Sequence, residues 1–252
     1  MRILLDPGHN REWDNVVAGY SEATEMLALA KKMKAYGEVN YPLQIDLTRT
    51  SMEPLNRTSN AADLKARAAK TKGYDLFYSV HSDAGRSTMS GNTVYGDIHP
   101  NYSDETLFGK IAKAISDVTG FAANRVRYRE ISDDSQYIVH YKPIAGKSNY
   151  YYVLRNAWAK VNVLVEHGFH THEEERKLLS DAGIQDRIAK NVMDAIAAHY
   201  GIMPKEAITV SSNLDAAQRW AVENKIMSDG SWTREKKDAA WWLYTYHVRK
   251  IS

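Results

Sequence analysis

The chain of 252 residues has no cysteine, which excludes disulfide scaffolds, zinc–thiolate knots and cysteine nucleophiles. Any metal must therefore sit on His, Asp or Glu. Long apolar runs are also missing. Nothing approaches the roughly 18 consecutive apolar residues of a membrane-spanning helix, so membrane insertion is not expected. Charge of one sign is not in excess either: 33 Lys+Arg stand against 31 Asp+Glu, a net +2, which argues against a nucleic-acid partner. What is present, 44% apolar and 25% charged residues, is the composition of a globular chain. The length suits one ordinary domain plus a small appendage. The start, Met1-Arg2-Ile3-Leu4-Leu5-Asp6-Pro7-Gly8, breaks too early for a secretory signal, so synthesis in a cytoplasm without such a signal is expected.

Along the chain, Ile3-Leu4-Leu5 reads as a buried strand ended by an Asp6-Pro7-Gly8 turn, with His9 just beyond it. Met26, Leu27, Leu29, Ala30 and Met33 keep helical spacing after Ser21, a suitable N-cap, and Gly37 marks the expected helix end. Leu43, Ile45 and Leu47 alternate with polar residues as in a half-buried strand, and Arg57 to Lys72 reads as the next helix. Leu76 to His81 is a third strand that carries His81 to its carboxyl end before a polar loop, Ser82 to Asn92. A strand at Thr93 to Ile98, a helix at Ser103 to Val118, an ambiguous stretch from Arg125 to His140 and a strand or helix at Tyr150 to Arg155 follow. Val161 to Glu166 is the most strand-like run, and a helix from about Ile184 to Tyr200 closes the unit. Strands alternating with helices argue for an α/β fold with a mainly parallel sheet, whose functional residues gather beyond strand carboxyl ends. His9, His81 and Glu166 all meet that rule.

With thiolates absent, a catalytic metal takes three nitrogen and carboxylate ligands and keeps one position open. His9, Glu22 and His81 can supply them. Glu166 is the candidate to move a proton, since a carboxylate ending an apolar strand is rarely tolerated without a purpose. Each residue also has a bland explanation. A histidine after a strand is more often a hydrogen-bonding structural group, and Glu22 stands in the first helical turn, where the dipole alone favours a carboxylate. Their joint placement carries the argument. His140 and His167 are further candidates for substrate binding.

These residues resemble a known family. Ile3 to His9, Glu22 before Leu27-Ala28-Leu29-Ala30, Leu47-Thr48-Arg49 with Asn56-Arg57 and Asn60-Ala61, Ser79-Val80-His81-Ser82-Asp83 and Val163-Leu164-Val165-Glu166-His167-Gly168-Phe169 are similar to the ordered motifs of zinc-dependent N-acetylmuramoyl-L-alanine amidases. The similarity spans roughly residues 2 to 200. It implies a mixed, mainly parallel six-stranded sheet flanked by helices, and one zinc ion on His9, Glu22 and His81. Catalysis by Glu166 and cleavage of the amide joining N-acetylmuramic acid to L-alanine in bacterial peptidoglycan are implied as well. Asn10 stands where the family commonly has glycine, Asp83 where it has asparagine, and His170-Thr171-His172 where it has leucine-serine-asparagine.

The expected organisation is a catalytic domain over 1–203, a linker over 204–212 and a small helical module over 213–252. Four of the six tryptophans, Trp220, Trp232, Trp241 and Trp242, fall in that module. They either fill its core or are exposed to stack on sugars, in a wall-binding role, or to pack against a second subunit. A phage endolysin that reaches the wall after release is the favoured setting. A sporulation amidase that lyses the mother cell, a zinc peptidase cutting within the stem peptide and a non-catalytic peptidoglycan-binding protein of the same fold are the alternatives.

Overall fold

The computed structural model describes residues 1–123, 126–132 and 136–205, which lie almost wholly in the compact unit Met1–Pro204. Most of the expected linker and all of the expected module at 213–252 fall outside the described residues.

The sheet is built from β1 (Arg2–Pro7), β4 (Gln44–Leu47), β5 (Leu76–Asp83), β6 (Thr93–Gly96) and β9 (Val161–Phe169). Its order is β4-β1-β5-β9-β6, five strands where the family resemblance implied six. β4, β1, β5 and β9 run parallel, and β6 pairs antiparallel with β9. Two small ribbons, β2 (Val16–Val17) with β3 (Tyr20–Ser21) and β7 (Tyr128–Ile131) with β8 (Tyr137–His140), lie outside it. The helices are α1 (Glu22–Asn40), α2 (Asn60–Ala69), α3 (Glu105–Thr119), α4 (Tyr152–Arg155), α5 (Glu173–Ser180) and α6 (Ala182–His199).

Strand alternation gives the sheet two unlike faces. On one, Ile3, Leu5, Leu76, Tyr78, Val80, Val163 and Val165 pack under Met26, Met33, Phe108, Ile111, Ile188 and Val192 of α1, α3 and α6. Burying each such side chain contributes about 1.5–3 kcal/mol. The other face begins apolar, with Leu4, Phe77, Tyr95 and Leu164 against Val153 and Leu154 of α4. Toward the strand carboxyl ends it turns polar, with Asp6, Ser79, His81 and Glu166.

Several expectations shift. Asp6 and Pro7 belong to β1 and not to a turn. Ser21 does cap α1, its Oγ accepting from the Thr24 N–H at 3.1 Å, but the helix runs past Gly37 to Asn40. Gly37 is a place of close approach: a Cβ there would lie 2.5 Å from Ile45 and 2.9 Å from Met193. α2 starts at Asn60 because Ser59 supplies the cap. The ambiguous stretch from Arg125 holds the β7–β8 hairpin. Arg127, just before β7, is tied to β6 by its N–H to Val94 O, 2.9 Å, and β7 is tied to the segment before α4 by Tyr150 N–H to Arg129 O, 2.7 Å.

Candidate active site

The carboxyl ends of three adjacent parallel strands, β1, β5 and β9, converge on one side of the sheet. Gly8 leaves β1 with its N–H bonded to Val80 O at 2.8 Å, so the chain passes directly beside His81. A Cβ at Gly8 would lie 2.5–2.8 Å from three atoms of the His81 ring. Only glycine leaves room for that imidazole. His9 then takes a left-handed conformation, φ +56°, which costs a non-glycine residue of order 1–3 kcal/mol and marks functional sites. Arg49, nearly fully buried, holds this corner by donating to Pro7 O, Gly8 O and Ala23 O. Its burial, with the neighbouring Arg67 charge, brings its pKa down to about 10.

Glu22, 1% exposed, lies between the two histidines. Its Oε2 is 3.2 Å from His9 Nε2 and its Oε1 is 3.1 Å from His81 Nδ1. Candidate ligand atoms of the three residues all lie within 4.8 Å of one another. Two ligands at zinc bond lengths of ~2.0–2.2 Å in tetrahedral geometry stand roughly 3.4 Å apart, so the donor set fits a divalent metal in both chemistry and spacing. Supporting groups are in place. The Trp13 carbonyl lies 2.8 Å from His9 Nδ1, which fixes the ring with Nε2 free to ligate. Asn15 donates to Glu22 Oε2 at 2.7 Å and approaches His9 Nε2 at 3.2 Å, and the Ser82 N–H donates to Glu22 Oε1. Burial pushes the Glu22 carboxyl up, but His81, His9 and the Ser82 N–H outweigh it and hold the group down at about 2.

Glu166 pairs in register with His81 on one side and Thr93 on the other, so it projects from the same face as His81, one strand away. It is 7% exposed, and its Oε2 has no hydrogen-bond partner among the described residues. Burial, and then the charges of Asp83 and Glu22, raise its pKa well above the ordinary value, with Arg129 pulling weakly the other way. A carboxyl in this state binds a proton more readily than an ordinary carboxylate, which suits a group that accepts one and returns it.

His167 is not brought to this cluster. It follows Glu166 on the strand and therefore points to the opposite face, 2% exposed, with ring nitrogens 3.0 Å from the Tyr78 hydroxyl and 3.0 Å from His81 O. Burial takes its pKa down to about 4. His140, on β8, is paired with Glu130 at 2.9 Å and has no contact with the His9–Glu22–His81 cluster.

The residues that depart from the family pattern have structural work. Asn10 is buried, accepts from the Glu12 and Trp13 N–H groups and donates to Asp63, shaping the loop that carries His9. His170 stacks on Tyr20 with centroids 5.4 Å apart, its Nδ1 facing the Ser82 hydroxyl at 3.0 Å. Thr171 accepts from the Gly85 N–H, and His172 caps α5. The loop thus braces β9 against β5.

One buried group escaped the sequence reading. Asp6 is ion-paired with Arg67 of α2 through two bonds of 2.7 and 2.6 Å, and accepts from Thr48 at 2.6 Å and Ser79 at 2.8 Å. Burial raises its carboxyl, but the Arg67 charge and these bonds outweigh it and the pKa lies below the ordinary value. An arginine on an Ala-rich helix face and a polar residue inside an apolar strand were the available signals.

Residues 3–198 match the family described as N-acetylmuramoyl-L-alanine amidase. No curated protein sequence matches the chain significantly. Among solved structures, the catalytic domain of the N-acetylmuramoyl-L-alanine amidase CwlV from Bacillus (Paenibacillus) polymyxa var. colistinus is 22% identical with a TM-score of 0.60, covering 80% of this chain and 98% of that one. The CwlD amidase of Clostridioides difficile, solved in complex with the GerS lipoprotein, is 22% identical with a TM-score of 0.60, covering 79% and 98%. AmiC2 of Nostoc punctiforme is 20% identical with a TM-score of 0.57, covering 80% and 97%. These likenesses show a shared fold.

Proposed function

The chain belongs to the N-acetylmuramoyl-L-alanine amidase family, and we propose that it hydrolyses the amide between N-acetylmuramic acid and L-alanine with one zinc ion held by His9, Glu22 and His81 and with Glu166 as the proton carrier. The observation that supports this reading is the meeting of a three-donor cluster with a buried carboxyl one strand away, whose Oε2 has no partner among the described residues. Zinc, when bound, supplies a Lewis acid for the carbonyl and lowers the pKa of its water from 15.7 to about 7.

The chain's own groups do the rest. Trp13 O and Asn15 hold His9 and Glu22 in ligating orientation, and Gly8 leaves space for the His81 ring. Glu166 takes a proton from the attacking water as the new C–O bond forms. It then delivers that proton to the alanine nitrogen as the C–N bond breaks, leaving a muramic carboxylate and a free amino terminus. The raised pKa of Glu166 suits a group that must both accept and return a proton.

The test is digestion of purified cell walls with wild type and Glu166→Ala, with and without chelator, followed by mass analysis of the fragments. New L-alanine amino termini, lost with the mutation or the chelator, are expected. Termini elsewhere in the stem would make it a peptidase, and intact walls with bound protein would make it a binding protein. Zinc retained at the wild-type level in His9→Ala or His81→Ala would remove those residues from the site.

For the biological setting we take the phage endolysin reading, with the protein made in a host cytoplasm and acting on the wall after release, and with the segment 213–252 as its wall-binding module. The four tryptophans of that segment support it. Co-sedimentation of Glu166→Ala with purified walls, reduced by Trp241→Ala and Trp242→Ala, is the expected result. Sedimentation indifferent to these changes would remove the module's role.

A further inference from the structure

The β7–β8 hairpin brings a basic residue to the flank of the site. Arg129, on β7, donates to the Tyr95 hydroxyl at 2.6 Å and the Tyr151 hydroxyl at 2.5 Å. Its guanidinium lies 4.2 Å from the Tyr95 ring centroid, 4.1 Å from that of Tyr137 and 5.4 Å from that of Tyr151. The rings themselves are in contact: Tyr95 with Tyr151 at 5.1 Å, Tyr151 with Tyr150 at 5.4 Å and Tyr150 with Tyr137 at 5.1 Å. Together they form an aromatic rail. It begins at Tyr95, two residues from Thr93, the register partner of Glu166, and ends at Tyr137, 43% exposed on the hairpin.

The arginine in this rail has spare capacity. A guanidinium carries five N–H donors, and two are taken by the tyrosine hydroxyls. Arg129 Nε is buried and has no partner among the described residues. No carboxylate there makes an ion pair with the side chain. Its charge reaches Asp83 and Glu166, but neither is within ion-pair distance of it. A half-buried guanidinium with an idle donor and no direct ion pair has capacity left for an anion. Planar and pre-oriented by stacking, it suits a carboxylate.

We propose that Arg129, framed by Tyr95, Tyr137 and Tyr151, is a carboxylate subsite that binds an acidic group of the stem peptide and so sets specificity for the free-acid form of the substrate. This rests on the amidase reading of the neighbouring site. The hydrolysed bond lies beside Glu166, and the stem peptide leaves from it, so an anion receptor on the Glu166 flank meets the peptide side of the substrate.

The experiment uses two soluble compounds: a muramoyl-L-alanyl peptide with its stem carboxylates free, and the same peptide with them converted to carboxamides. KM and kcat are measured for wild type, Arg129→Gln and Arg129→Lys, and the dissociation constant of each compound is measured by calorimetry on the chelator-treated proteins. Wild type is expected to favour the acid by tenfold or more, the size of a hydrogen bond to a charged group, with the preference in KM and in the dissociation constant. Arg129→Gln should bring the acid-to-amide ratio near one. Arg129→Lys, which keeps the charge and loses the fork, should fall between.

A wild-type ratio near one in both measurements overturns the proposal. So does an Arg129→Gln defect that is equal for both compounds or confined to kcat, because that would make the rail a sugar-stacking or structural element. Should wild type cleave neither compound, the amidase reading fails, and the calorimetric ratio still decides the subsite. Thermal melting of each variant separates loss of fold from loss of binding, with Arg129→Lys as the milder replacement.

Discussion

Asp6 and Glu166 are carboxyls buried in the same face of one sheet, two strands apart, and they are held in opposite states. Asp6 meets Arg67, Thr48 and Ser79, which hold its pKa below the ordinary value, whereas Glu166 has an oxygen with no partner among the described residues and its burial, with the Asp83 and Glu22 charges, raises its pKa. Burial is nearly equal in the two places, so it does not decide the charge. The presence or absence of a guanidinium within hydrogen-bond reach does. One corner thereby fastens β1 to β5, α2 and the residue after β4, and the other holds a carboxyl with a raised pKa.

The largest expected break of this comparison is Glu166→Gln. Hydrolysis should fall about 10²–10⁴-fold, the range of a general acid–base group, with a melting temperature no lower than wild type. Unfolding of that variant would show that Glu166 is also a fastening. Asp6→Ala should do the reverse. It leaves Arg67 buried and unpaired, and denaturant titration should find a loss of about 3–5 kcal/mol. A loss below 1 kcal/mol would mean that the pair contributes little. Asn15→Ala, which strips support from Glu22 and His9, is expected to weaken zinc binding by about 10–100-fold, read by competition with a chromogenic chelator; unchanged affinity would make Asn15 a loop residue only.

The smallest effect sharpens the contrast through pH. The Asp6 pKa is lowered on folding, so its contribution is present above the unfolded value of about 3.9 and lost as pH falls through the folded one. The Glu166 pKa is raised, so its contribution is present below the unfolded value of about 4.3 and lost as pH rises toward the folded one. In metal-free protein, the stability of Glu166→Gln relative to wild type should therefore grow above about pH 4.3, by at most ~1.4 kcal/mol per pH unit. Parallel stability curves would show that Glu166 ionises normally.

What was readable in the sequence was what repeats or runs. β1, β5 and β9 announce themselves by apolar stretches, and three of the candidate residues stand near their carboxyl ends: His9 just past β1, His81 two residues before the end of β5 and Glu166 three before the end of β9. α5 did not, because its eight residues include five charged ones and little apolar face. The β7–β8 hairpin lacks a clean period of two, since its register is set by docking onto β6 and the Tyr150 segment. Gly37 looked like a helix stop, yet the space it spares is filled by Ile45 and Met193 from other elements. The pairing of Asp6 with Arg67 spans 61 residues, and no local pattern encodes such a meeting. The His9, Glu22 and His81 positions were recognised by motif, but the geometry that lets them share one centre, above all Gly8 under the His81 ring, is visible only in three dimensions.

Glu166 and His167 are consecutive on β9 and face opposite ways. A shift of one residue in that strand would send the carboxyl to the apolar face and present either His167 or Val165, according to its direction, to the histidine–glutamate cluster. The lineage of such a chain can therefore lengthen or shorten its loops, but any insertion or deletion of a single codon upstream within β9 inverts the site. Descent must preserve the parity of this strand even where it rewrites the residues around it.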